Sequence, residues 1–408
     1  MGEIASEPLV AIIGSYYIEP KQMYSTTFEE LAASATMDLM KKFENQITFE
    51  DIDAIFLSSA TASNVIGKVG QVSWESIFAS NFGINIGLHT FSKGSEALHH
   101  LISEVTSRDS RGSGSGLMLL IGCDKRSDEE HTSDISNKSI DPNLRLWNWK
   151  WQNVYACMAS KYLYETGLTH DDLITMAIND RYNGMKSSAK KLKDFIPLIE
   201  KSEKRLLFDP LTVDDFAPNK FDGAAALLLC APEKAYDFVD KPVFIKSSAS
   251  ITGASEYWNQ ENTLCYPALI KAAEIAFKTA RITPEDIDLV SVDTKATIVG
   301  PLALEGLGLM DFPALKRISE NITDLSPDYN ESHIKFENSG KDLIINPCGS
   351  THCFGNIPGV SGLYRLIALC KQLNGEAENQ VDNNPKKAVL QEQSAAGMKQ
   401  IVHVLEVN

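Results

Sequence analysis

The heptad Ile47-Thr48-Phe49-Glu50-Asp51-Ile52-Asp53 returns in the second half of the chain as Ile282-Thr283-Pro284-Glu285-Asp286-Ile287-Asp288, with six of its seven positions identical. Each copy follows a helical, alanine-containing segment. Each leads into an apolar strand, Ala54-Ile55-Phe56-Leu57 or Leu289-Val290-Ser291-Val292. A helix, a turn and a strand repeated in that order predict two halves that share one fold. Other elements recur in step. Each half opens on a strand after a proline, Leu9 to Ile13 or Val243 to Ile245. Each later has a turn running into an amphipathic helix, with Leu98, Leu101, Ile102 and Val105 on one stripe and Leu363, Leu366, Ile367 and Leu369 on the other.

Both halves then end on continuous apolar runs: Leu117 to Ile121 and Ala224 to Leu229, then Ala388 to Leu390 and Ile401 to Val407. Such runs, bounded by helices, read as strands buried on both faces. The fold class is therefore α/β, two similar layered domains from an internal duplication with an inserted loop domain. Residues 1–124 and 209–238 form the first, 125–208 the insertion and 239–408 the second.

A length of 408 residues accommodates this plan. The net charge of −16 argues against a nucleic-acid partner, which needs a basic face. No apolar run is as long as a membrane span, and the N-terminus lacks the layout of a secretion signal. Seven cysteines without a CxxC pair fit reduced thiols in a cytoplasmic protein, and no zinc-ligand spacing occurs.

Several stretches, in order along nearly the whole chain, resemble the thiolase superfamily, and within it the sterol-carrier-protein-type and archaeal thiolases. They are Asp209-Pro210-Leu211-Thr212, Asp222-Gly223-Ala224-Ala225-Ala226, the helix and turn from Ala273 to Ile287, Leu304-Glu305-Gly306-Leu307-Gly308, and Gln372 to Ala377. The resemblance implies a coenzyme A thioester as ligand, no other cofactor and no metal. It also implies an oligomer, a homodimer or larger, with heteromeric assembly with other acyl-CoA proteins as a further expectation. It points to acyl-CoA and lipid metabolism.

Thiolase chemistry needs a thiolate at a helix N-terminus, a histidine to activate it, donors for the thioester oxygen and a second cysteine to move a proton. By the resemblance, Phe91 of Phe91-Ser92-Lys93-Gly94 stands at the nucleophile position. Asp293 of Asp293-Thr294-Lys295-Ala296 stands for one histidine, and Asn356 of Gly355-Asn356-Ile357-Pro358 for the other. The final loop, Gln393 to Gly397, has no cysteine. All four functional groups are replaced, so ordinary acetyl-CoA C-acyltransferase chemistry is not expected.

Two readings stay open. In one the chain is an acyl-CoA-binding or assembly subunit, a pseudoenzyme whose pocket Phe91 plugs. In the other, a rebuilt site performs acyl transfer or carbon–carbon cleavage on coenzyme A thioesters through Asp293, Asn356 and, as a substitute thiol, Cys348 or Cys353 beside His352. Adjacent residues rarely face each other, and buried cysteine is commonly a packing residue. A basic stretch with Lys186, Lys190 and Lys191, together with Asn179 of the family's Asn-His position, is the candidate coenzyme A contact. Its plain alternative is a solvated helix face. Trp147, Trp149 and Trp151 would share one side if that stretch were extended.

Overall fold

The computed structural model describes residues 6–62, 87–109, 116–128, 141–185, 205–254 and 263–408. Its strands are β1 (Val10–Lys21), β2 (Ile52–Ser58), β3 (Gly87–Phe91), β4 (Leu117–Lys125), the short hairpin β5 (Leu206–Phe208) and β6 (Leu211–Thr212), β7 (Asp222–Cys230) and β8 (Val243–Thr252). They continue with β9 (Leu289–Ser291), β10 (Lys335–Asn338), β11 (Lys341–Ile345), β12 (Lys387–Ser394) and β13 (Lys399–Glu406). The longer helices are α1 (Phe28–Lys41), α2 (Gly94–Asp109), α3 (Trp151–Thr166), α4 (His170–Asn183), α5 (Pro267–Ala280), α6 (Val299–Gly306), α7 (Ala314–Thr323) and α8 (Ser361–Asn374).

Among the described residues, eleven strands form one sheet in the order β10-β11-β9-β12-β13-β8-β1-β7-β4-β2-β3. The halves meet where β1 pairs with β8, Val10 opposite Ile245. Outward from that seam the pairings repeat. In the first half β1–β7 and β7–β4 are antiparallel, then β4–β2 and β2–β3 are parallel. In the second, β8–β13 and β13–β12 are antiparallel, then β12–β9 and β9–β11 are parallel. The duplication expected from the heptad is thus present strand for strand. β4 and β7 are buried along their whole length, as their unbroken apolar runs require.

The heptad recurs because it is a capping device. The Asp51 carboxylate accepts from Thr48 N at 2.8 Å, and Asp286 accepts from Thr283 N at 2.8 Å. Each closes a single turn between a helix and its strand. The heptad's last aspartate ties down the next parallel strand. Asp53 accepts from Gly116 N beside β4, and Asp288 from Lys386 N and Lys387 N at β12.

Three apolar clusters order the helices. α1 covers one face of the first half, and α2 with α8 fill the middle, against strands of both halves. α5, α6 and α7 cover the second half, and α3 and α4 of the inserted segment share that same core. The three indoles do not form one extended face: Trp147 follows a short helix and is exposed, whereas Trp151 opens α3 and is buried. Among the described residues, no helix is long and apolar enough to cross a membrane.

Candidate active site

Four loops converge where α2 and α8 begin. A Cβ added at Gly94 would lie 2.6 Å from Leu363 Cγ and 3.3 Å from Gly359 O, so the start of α2 is pressed against the loop leading into α8. Glycine is required there by close approach. Ser95 N, in the first turn of α2, donates to Glu392 Oε2 of β12 at 3.0 Å. A carboxylate at a helix N-terminus is favourably placed. The Asp293 loop leaves β9 and meets the same strand, with Asp293 N donating to Gln391 Oε1 at 2.9 Å.

Asp293 and Lys295 form the charged centre. Lys295 Nζ lies 3.0 Å from Asp293 Oδ2 and also donates to Gln393 O at 3.0 Å, and both side chains are buried. Burial pushes the Asp293 carboxyl up, but Lys295, Arg365 and Lys93 together outweigh it and hold it below the usual carboxylate range. Arg365, from α8, donates through Nη1 to Gln391 O at 2.7 Å, while its Nε and Nη2 are buried without a partner among the described residues.

Lys93 lies one residue before α2. Desolvation lowers its ammonium to about 8, with the charge of Lys295 acting in the same direction and Glu392, Asp293 and Asp124 opposing it. Among the described residues, its side chain has no hydrogen bond or ion pair.

The residues singled out in the sequence fall in different places. Asp293 is at the charged centre. Asn356 is buried beside α8, its backbone N–H donating to Pro218 O at 2.6 Å. Phe91 ends β3, where its ring stacks on His100 at 4.8 Å and on Phe56 at 6.2 Å. It packs against the middle core as a partly buried residue.

Cys348 and Cys353 line a separate cleft of about 270 Å³ with Asn183, Gly184, Phe354 and Gln372. Cys353 Sγ approaches Asp180 O at 3.6 Å. His352 turns away from it: its Nδ1 lies 3.0 Å from Asp180 Oδ2, and its Nε2 is buried with no partner among the described residues. The sequence neighbours His352 and Cys353 therefore form no nucleophile–base pair. Asp180 also accepts from Thr294 Oγ1 at 2.5 Å and from Asn346 Nδ2 at 2.8 Å, which fixes the loop carrying Asp293. Asn179 is buried and its Nδ2 donates to Ile345 O at 3.1 Å. Lys186, Lys190 and Lys191 lie outside the described residues.

Sequence reasoning missed Lys93, Lys295, Glu392 and Arg365. A signal for the first two exists: a lysine stands two residues beyond the candidate position in both halves, Phe91 to Lys93 and Asp293 to Lys295. Glu392 and Arg365 carry no such mark, since each sits within an otherwise ordinary strand or helix.

No family model matches the chain. It is 26% identical over 375 residues to an acetyl-CoA acetyltransferase of Methanothermobacter thermautotrophicus, covering 90% of this chain and 91% of that one. It is also 26% identical over 238 residues to the benzoylsuccinyl-CoA thiolase subunit BbsB of Thauera aromatica, covering 58% of each. Among solved structures, an Ltp2-ChsH2(DUF35) aldolase superposes with a TM-score of 0.74 at 16% identity, covering 97% of both chains. A monomeric SCP2-thiolase-like protein of Mycobacterium smegmatis superposes at 0.66 and 14% identity, covering 98% of this chain and 78% of that one. The chain has the thiolase fold over its length and is similar in sequence to acetyl-CoA acetyltransferases.

Proposed function

We propose that this protein is a carbon–carbon lyase or ligase of the aldol type that acts on coenzyme A thioesters through lysine and carboxylate groups rather than through a thiolate. The observation that carries the reading is the buried Asp293–Lys295 pair near the start of α2. A pocket kept only as scaffold would gain stability by replacing such groups with apolar side chains, because a buried ion pair rarely repays its desolvation. Charges retained there against that gradient fit chemistry. An ionised carboxylate and an ammonium suit a reaction that moves a proton and stabilises developing charge on a carbonyl oxygen. Phe91 excludes a thiolate at its own position.

The likeness to an aldolase structure and to a thiolase subunit supports the choice of carbon–carbon chemistry and of a multi-chain assembly, either a homo-oligomer or a complex with a second polypeptide. The alternative, a non-catalytic acyl-CoA-binding subunit, is favoured only by the stacking of Phe91 into the middle core.

The test incubates the full chain with 3-hydroxyacyl and 3-oxoacyl coenzyme A thioesters and follows chain-shortened or extended thioesters by mass spectrometry. Turnover that falls at least about 100-fold in the double variant Asp293→Asn, Lys295→Met supports the reading. Binding without any change in the acyl chain would favour the subunit alternative.

A further inference from the structure

Glutamine is mostly a surface residue, yet Gln391 and Gln393 of β12 and Gln400 of β13 are all buried. The strand pairing sets Gln400 directly opposite Gln393 and diagonal to Gln391, whose own partner is Val402. Their side chains join in one run of hydrogen bonds. Asp293 N donates to Gln391 Oε1 at 2.9 Å, and Gln391 Nε2 donates to Gln400 Oε1 at 2.8 Å. Gln400 Nε2 donates to Gln393 Oε1 and to Gly397 O, both at 3.1 Å. Gln393 Nε2 then donates to Oη of Tyr155, in α3 of the inserted segment, at 3.3 Å.

The sense of each amide is fixed from outside the run. A backbone N–H can only donate, so Gln391 presents its oxygen to Asp293 and its nitrogen to Gln400. Gly397 O can only accept, which turns the Gln400 nitrogen the same way. Flipping any one glutamine would set donor against donor and acceptor against acceptor. The run also holds both members of the charged pair. Gln391 fixes the backbone of Asp293, and Gln393 O accepts from Lys295 Nζ, the ammonium that lies 3.0 Å from Asp293 Oδ2. Its far end is seated firmly. Tyr155 packs edge-on against Trp151, and Trp151 against Phe216, each at 5.6 Å between ring centroids. Phe216 bridges to Ala296, next to Lys295. Apolar side chains of the same shape would hold two strands together at least as well, because buried amides must first be desolvated. A matched polar network adds a single defined arrangement of the groups on which it ends.

We propose that Gln400 is a positioning residue of this site: through Gln391 and Gln393 it sets Asp293 and Lys295 relative to each other, and through Tyr155 it ties that spacing to the inserted segment. It acts through the two glutamines and not on the substrate. The carboxylate and the ammonium then meet a ligand at one separation, and the seating of α3 becomes a condition for a working pair. This inference rests on the lyase reading above for its effect on turnover, though not for the relay itself.

The test compares the full chain with Gln400→Met, which keeps the side chain's approximate volume and removes its polar contacts. Both proteins are studied where circular dichroism shows them folded. Lysines are labelled competitively with acetic anhydride and read by peptide mass spectrometry. Lys295 should label about 5-fold faster in the variant, as the loss of a hydrogen bond's restraint allows, with the other lysines unchanged. Turnover of 3-oxoacyl coenzyme A thioesters should fall about 10-fold or more in kcat, with KM within about 2-fold of the parent. A folded variant with parental Lys295 labelling, or with parental kcat, would overturn the proposal, since packing alone predicts both. A parent that turns over no thioester removes the lyase reading, and the labelling then decides the relay by itself. Should Gln400→Met fail to fold, Tyr155→Phe takes its place, because it removes only the acceptor at the far end. The same two changes, smaller in size, are expected there, and parental labelling and kcat would again overturn the proposal.

Discussion

Asp124 and Asp293 are both buried aspartates in loops around the start of α2 and α8, yet they are built in opposite ways. Asp124 accepts five hydrogen bonds: from Ser59 Oγ, Ala60 N, Thr61 N and Thr61 Oγ1 on one oxygen, and from Gly359 N at 2.6 Å on the other. It ties the end of β2 to the loop that opens α8. Among the described residues, Asp293 accepts only from Lys295, through its N–H at 3.2 Å and its ammonium at 3.0 Å, and nearby Arg365 keeps two buried nitrogens without partners. A satisfied carboxylate holds a fold together, whereas an under-satisfied one surrounded by cations leaves capacity for a ligand. The comparison separates framework from working parts within one small region.

Variants can break that comparison. Asp124→Ala removes an acceptor from five donors, so it should cost about 4 kcal/mol or prevent folding. Urea unfolding measures this, and a loss under about 1 kcal/mol would deny the structural role. Asp293→Asn alone should cost about 3 kcal/mol, because it strands a buried ammonium. The double variant Asp293→Asn, Lys295→Met removes both charges and should return stability to within about 1 kcal/mol of the parent while abolishing turnover. A double variant as unstable as the single one would place this pair with the framework.

A third carboxylate sharpens the scale with the smallest effect. Glu305 accepts from Tyr162 at 2.5 Å and from Ala314 N at 2.8 Å, and desolvation raises its carboxyl to about 7. The native state therefore holds its proton between about 4.5 and 7, where the unfolded chain has lost it. Stability from this group is present at low pH and is lost as pH rises through 7. Glu305→Gln keeps both acceptor contacts, so it should add about 1 kcal/mol at pH 8 and nothing at pH 4. Equal effects at the two pH values would show that Glu305 ionises normally.

The fold was legible because its signals are local and repeated. Thr48 with Asp51 and Thr283 with Asp286 are caps whose spacing is set by one turn, and the apolar strands announce their own burial. The site was only half legible. Candidate positions such as Asp293 and Asn356 can be found by aligning loops with a family pattern. Lys93, Glu392 and Arg365 gain their meaning from contacts across hundreds of residues, such as Ser95 with Glu392, which no local pattern encodes. The same limit explains His352. It is adjacent to Cys353 in sequence, yet it faces Asp180, contributed by α4 of the inserted segment. Phe91 illustrates a third case: the family resemblance sets it at the nucleophile position, while its ring packs β3 against α2 and β2.

The proposed chemistry requires that this site receive a coenzyme A thioester. A calorimetric titration of the purified chain with acetyl-coenzyme A tests it most directly. Saturable binding in the micromolar range, on the order of −8 kcal/mol, is the predicted result. No heat up to millimolar ligand would contradict it and leave the thiolase fold as a scaffold for assembly.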